Sequence, residues 1–213
     1  MPPTGKRATP VDRDAVVAAA VRIIDTDGVS AVTMRRLASD LGVTTMAAYR
    51  HVRSKDELLQ LVAASVVADI PAAPPDASWG RVIHDFFTAF HDRLVEHPGV
   101  ALLFGGQSFL SEPIYAVSDH VFTALLDAGF SPESAVALFM GCASCSIGSA
   151  VLEAAAAQSR IDTSDSMLLM SARKYPGIAA VAEFIPQRQS STSHDQALSK
   201  LVAGYAAVLS LAE

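Results

Sequence analysis

The sequence predicts an all-α protein: an N-terminal three-helix head carrying a helix-turn-helix, followed by a larger helical domain. Three observations predict it. The 213 residues are 51% hydrophobic and rich in alanine, the strongest helix former. Apolar residues recur at three- and four-residue spacing, and no stretch of any length alternates as a strand does. Ser, Thr or Asp open the periodic stretches, and Gly or Pro close them. A chain of this length suits one or two domains and can bury a sizeable core.

Residues 1–11 read as a flexible arm. Its Lys6 and Arg7 either trail along a DNA backbone or have no role. The arm lacks the apolar run of a secretory signal. Two cysteines, Cys142 and Cys145, make no disulfide framework. A reducing, cytoplasmic setting is the expectation. The first helix spans 12–26, with Val16, Ala19, Ala20, Ile23 and Ile24 as its apolar stripe and Gly28 as its stop.

The stretch 33–55, TMRRLASDLGVTTMAAYRHVRSK, reads as two short helices around a tight turn. Thr33 caps the first, and Leu37, Ala38 and Leu41 face inward. Gly42 supplies the left-handed exit. Thr44 caps the second, with Ala48 and Val52 inside. A small residue at the crossing, a glycine turn and a new cap are the marks of a DNA-binding helix-turn-helix. The stretch carries Arg35, Arg36, Arg50, Arg53 and Lys55 against one acid, Asp40, on a chain whose net charge is −6. A basic patch on an acidic chain suits phosphate binding, although a solvated basic face is the plainer alternative. Residues 1–60 hold nine Lys+Arg against seven Asp+Glu, net +2, and the remainder seven against fifteen, net −8.

Ser54 caps a fourth helix that joins head to body, with Asp56 and Glu57 in its first turn. PAAPPDAS, residues 71–78, is the domain break. The domains are thus 12–70 and 78–213. The second domain should hold a helix over 79–97, a short apolar segment over 100–104 after Pro98-Gly99, and a helix over 113–128 ended by Gly129. A long helix follows, opened by Ser131 and Pro132. Its residues 135–152 carry no charge. Length alone makes that a membrane candidate. Its acidic flanks, Glu133 and Glu153, and its Gly, Ser and Ala content argue instead for a helix buried on most sides. Beyond it we expect loops at 158–164 and 186–193, short helices at 167–174 and 178–184, and a last helix over 194–211.

The chain resembles the tetracycline-repressor (TetR) family over residues 12–61. The marks are DGVSAVT at 27–33, RRLASDLGV at 35–43, AAYRHV at 47–52 and SKDELL at 54–59. The resemblance implies a homodimer paired through helices 135–157 and 194–211. It also implies a small-molecule effector bound in the second domain, with its signal carried through helix 4. Two apolar faces left over once the core is filled support the pairing. A two-fold dimer sets two recognition helices about 34 Å apart, in successive major grooves of double-stranded DNA at a palindromic operator. The resemblance also places Arg35, Thr44, Thr45, Met46, Ala47, Tyr49, Arg50 and Lys55 on or near the DNA. Thr44, Thr45, Tyr49 and Lys55 suit phosphates. Arg35 and Arg50 suit a phosphate or a guanine edge, and Met46 and Ala47 a thymine methyl. Arg36 and Arg53 are read as solvated.

An effector pocket is expected among Phe86, Phe90, Phe104, Phe109, Phe122, Phe139 and Met170, which suits an apolar or aromatic ligand. Plain core is the alternative for each. The tetracycline repressors hold a magnesium–drug complex with a histidine shortly after the segment matching Pro98-Gly99. Here Val100, Ala101, Leu102, Leu103 and Phe104 follow, which argues against that ligand. Cys142 and Cys145, three apart, read as buried thiols rather than a redox pair. His84, His91 and His97 read as core or surface residues rather than metal ligands. No phosphate loop or nucleophile elbow is present, so neither catalytic residues nor a cofactor are expected. The reading is a ligand-responsive repressor. A constitutive DNA-binding regulator and a helical scaffold with an incidental basic patch remain as alternatives.

Overall fold

The structure is a computed structural model describing residues 11–104, 111–158, 174–181 and 191–210; among these are ten α-helices and no strand. The head holds α1 (Arg13–Asp27), α2 (Met34–Asp40), α3 (Thr45–Tyr49) and α4 (Lys55–Val67). The trunk holds α5 (Trp79–Glu96), α6 (Pro98–Phe104), α7 (Glu112–Asp127), α8 (Pro132–Gln158), α9 (Pro176–Val181) and α10 (Ser191–Ser210).

Local chemistry sets the head's boundaries. Asp12 accepts from the Ala15 amide at 2.8 Å, Thr33 from Arg36 at 3.1 Å, Thr44 from Ala47 at 3.2 Å and Ser54 from Glu57 at 3.1 Å. Each satisfies one of the orphan donors of a first helical turn. After α2 the Gly42 amide bonds Ser39 O and the Val43 amide bonds Ala38 O, with Gly42 at φ 66°. That is the double-bonded left-handed exit only glycine makes without strain.

Pro98 opens α6 where the sequence reading had a break, and Pro176 likewise opens α9. Proline fits a first helical turn, whose amides lack intrahelical partners anyway. The last helix starts at Ser191, inside the expected polar loop. The helix expected over 167–174 lies almost wholly outside the described residues, as do Lys6 and Arg7 of the arm.

A continuous core runs from Val16, Ile23 and Ile24 of α1 through Leu58 and Val62 of α4 to Ile83, Phe87 and Leu94 of α5. The long apolar helix corrects one expectation. Only 28% of its most apolar window is buried in the protomer. Val136, Met140 and Leu152 are exposed, and the space beside Gly141 and Gly148 is open. α8 packs on α5, α6, α7 and α10 with one side, burying Ala135, Leu138, Cys142 and Ala150. Much of its other side is left to solvent in the protomer.

Candidate nucleic-acid interface and effector cavity

α3 gives the core a single buried side chain, Ala48. The rest faces outward: Met46 is 75% exposed and Tyr49 44% exposed. Five residues could not hold a helix alone. The Thr44 cap and the packing of Ala48 against α2 hold this one. Arg35, Thr44, Arg50 and Lys55 are exposed beside it, and Thr45 and Ala47 are partly so. Thr44 accepts from Ala47 through its oxygen, so its hydroxyl proton remains free to donate. Lys55 Nζ donates to Val29 O at 3.1 Å and keeps two further protons.

The arginines divide. Arg36 is committed to Asp27 at 3.1 Å and Asp40 at 3.0 Å, and Asp40 foremost raises its pKa. Arg36 is therefore paired rather than simply solvated. Arg35, Arg50 and Arg53 make no ion pair among the described residues. Glu57 ties the head together from α4: it accepts from the Arg53 amide at 2.6 Å and pairs with Arg13 of α1 at 2.9 Å.

A junction that sequence reasoning missed joins head to trunk. Asp25 of α1 accepts from the Gly99 amide at 3.1 Å and from His97 Nδ1 at 2.9 Å. A carboxylate only accepts, so Nδ1 carries the proton. Asp25 thus caps the first turn of α6 from more than 70 positions away. A Cβ on Gly99 would strike the Ile24 carbonyl and lie 2.9 Å from Asp25 Cα. The one mark it left in the sequence was Gly99, which read there as part of a break between helices.

In the trunk, Phe86, Phe90, Phe104 and Phe139 line a cavity of about 220 Å³ among α5, α6, α7 and α8, together with Val67 of α4. Phe122 does not line it. It stacks on the Phe139 ring at 4.7 Å, on the far side of that wall. Phe109 and Met170 lie outside the described residues. A larger open groove, about 670 Å³, runs between α1, α4 and the end of α5. Unlike the cavity, it is bordered by charged side chains, of which Arg13, Arg93 and His97 are paired with Glu57, Glu96 and Asp25.

Between α5, α8 and α10 sits a buried polar cluster. His91 of α5 stacks on His194 of α10 at 3.9 Å. His194 Nε2 lies 2.9 Å from Ser146 Oγ of α8. His91 Nε2 lies 3.3 Å from Glu153, but neither His91 nitrogen makes a hydrogen bond. Burial first, then His91, pushes the His194 pKa down to about 4. Cys142 is buried, and burial first, then Cys145, raises its thiol pKa to about 12. That is the reverse of a reactive thiolate. Among the described residues no three His, Cys, Asp or Glu are grouped to hold a metal ion.

The head is a helix-turn-helix DNA-binding domain on an all-helical trunk. The profile of the bacterial regulatory proteins, tetR family, matches residues 16–62. An HTH-type transcriptional regulator of Saccharopolyspora erythraea is 31% identical over 142 residues, spanning 66% of this chain and 60% of that protein. The tetracycline repressor protein class E of Escherichia coli is 30% identical over 143 residues, 66% of this chain and 67% of that repressor. A possible TetR family transcriptional regulator from Streptomyces coelicolor A3(2) has a similar fold. Its TM-score is 0.73 at 28% identity, over 92% of this chain and 100% of that one. The chain belongs to the TetR family.

Proposed function

We propose that this protein is a ligand-responsive transcriptional repressor, released from DNA when a small apolar or aromatic effector fills the trunk. Residues 12–70 form the reading head and residues 78–213 the effector and pairing domain. Two copies pair through α8 and α10. The exposed Val136, Met140 and Leu152, with open space at Gly141 and Gly148, support that pairing, because an apolar helix face of this length needs covering. The same pairing accounts for the apolar helix without a membrane, which favours a cytoplasmic protein. Paired heads engage a palindromic operator, with Thr44, Thr45, Tyr49 and Lys55 on phosphates, Arg35 and Arg50 on phosphates or guanines, and Met46 and Ala47 on thymine methyls.

The observation that carries this reading is α3 itself: a helix presenting Met46 and Tyr49 to solvent with one residue in the core. Nothing in folding rewards that exposure, whereas a major groove does. Replacing Arg35 and Tyr49 together with alanine should weaken binding to the DNA upstream of the gene at least tenfold and flatten its salt dependence. Fluorescence anisotropy reads both. Unchanged binding, or no salt-sensitive complex in the parent protein, overturns the DNA-reader assignment. The cavity favours a regulated protein over a constitutive one, since an apolar space remains beside rings that already pack on one another.

A further inference from the structure

The 220 Å³ cavity has a neighbour. A second chamber, about 150 Å³, lies beyond Phe86 and Val117, which line both spaces. Its other wall is Ile70, Pro71, Ala72 and Ala73, the segment leaving α4 towards α5, and His120 of α7 also borders it. The first chamber is built mainly from α5, α7 and α8, with Val67 as its contribution from α4. The second is bounded by the connection that must change shape if the head moves on the trunk.

Size separates the two. Ligand sites usually enclose about 300–1,000 Å³. Neither chamber reaches that range, but 220 and 150 Å³ together give about 370 Å³, which does. Phe86 and Val117 stand between the two. Phe86 is only partly buried. It stands edge-on to Phe87 at 4.9 Å, while Phe90 and Phe139 lie at 6.2 and 6.3 Å, near the outer limit of aromatic contact. A change of the Phe86 rotamer would open its side of that partition. No Lys, Arg, Asp or Glu lines either space among the described residues, and the side-chain polar groups are those of Ser118 and His120. An ionised ligand would lose its hydration there without a partner.

We propose that Phe86 is a shutter between a holding chamber and a triggering chamber, and that the inducing ligand is an elongated, uncharged aromatic molecule long enough to pass it. This rests on the effector reading above. A ligand shifts an equilibrium only as far as it binds the two states differently. A one- or two-ring compound confined to the first chamber touches mainly trunk helices and binds both states alike. A longer one displaces Phe86, presses on Pro71, Ala72 and Ala73, and displaces the end of α4.

The test uses 2-naphthol as the short probe and Nile red as the long, uncharged one. Thermal stabilisation reports binding, and anisotropy of labelled upstream DNA reports release. Both probes should stabilise the protein, with only Nile red releasing DNA. Ala73→Leu, which fills the second chamber from the partly exposed connection, should abolish release by Nile red and leave 2-naphthol binding intact. Phe86→Ala should tighten Nile red by about tenfold, some 1.4 kcal/mol. Release of DNA by 2-naphthol as complete as by Nile red, or full release from the Ala73→Leu protein, overturns the two-chamber device while the effector reading stands. Stabilisation by neither probe removes the effector reading and this one with it.

Discussion

Head and trunk are held together by interactions of different range. In the head, four helices start on caps three residues away: Asp12, Thr33, Thr44 and Ser54. The trunk uses Ser78 and Ser131 in the same way, but its distinctive polar contacts are remote. Asp25 caps α6 across 74 positions, Ser146 meets His194 across 48, and His91 stacks on His194 from another helix. The head's surface is thereby fixed locally and can present α3 rigidly. The trunk's interior is fixed only when distant helices meet, and among the described residues that is where the unsatisfied buried polar atoms lie. A rigid reader on an adjustable body is a sensible division for a protein that must change one in response to the other.

The contrast is tested most severely where the regions touch. Gly99→Ala should cost about 3 kcal/mol or more. The added methyl meets the α1 backbone at Ile24 and Asp25. α6 cannot retreat without breaking the Asp25 bonds to Gly99 and His97. Urea unfolding measures the loss. A variant as stable as the parent would mean that head and trunk are not clamped at this point.

Acid should act next, and on the trunk. His194 holds a folded pKa of about 4 against an ordinary 6.5, because burial, His91 and His84 oppose its charge more than Asp195 favours it. The unfolded chain therefore binds the extra proton first. The stability this residue contributes is complete above pH 6.5 and drains away as pH falls towards 4, by about 2–3 kcal/mol. Unfolding midpoints taken between pH 7.5 and 4.5 should show that slope, and His194→Asn should flatten it. A slope unaltered by the substitution assigns the acid sensitivity elsewhere.

Thr44→Ala belongs to the head and should cost about 1 kcal/mol, the usual worth of such a cap. Because α3 has only Ala48 to anchor it, DNA affinity should fall with the melting temperature. An intact affinity would show that the operator itself can order α3.

These ranges also explain what could be read in advance. Thr33, Gly42, Thr44 and Ser54 act on residues within a few positions, so their roles and the head's helix boundaries were legible in the sequence. Phe86, Phe90, Phe104 and Phe139 were legible as apolar positions on helices. Their enclosing a space, while Phe122 stacks outside it, depends on how α5, α7 and α8 cross. Val67 and Val117 went unnoticed as lining residues because nothing local distinguishes a cavity valine from a core valine. Asp25 reads as a surface acid until α6 is laid against it. The long helix 135–152 misled for a related reason: uninterrupted apolarity announces burial without naming the surface that supplies it.

The smallest effect provides the finest comparison, between adjacent arginines of α2. Composition gives Arg35 and Arg36 the same charge and the same basic stretch. The structure separates them: Arg36 spans Asp27 and Asp40 at about half exposure, whereas Arg35 makes no ion pair among the described residues. A guanidinium balanced by two carboxylates brings little net charge to a phosphate, and exposed pairs of this kind contribute little to stability. Arg36→Ala should therefore leave operator affinity within about twofold and its salt slope unchanged. Arg35→Ala should lower affinity by about 1–3 kcal/mol and reduce the slope by about one. Titrations at several salt concentrations measure both quantities. Equal slopes lost by the two variants would show that the Asp27 and Asp40 pairs open on DNA, so that the whole basic stretch, not its unpaired members alone, meets the backbone.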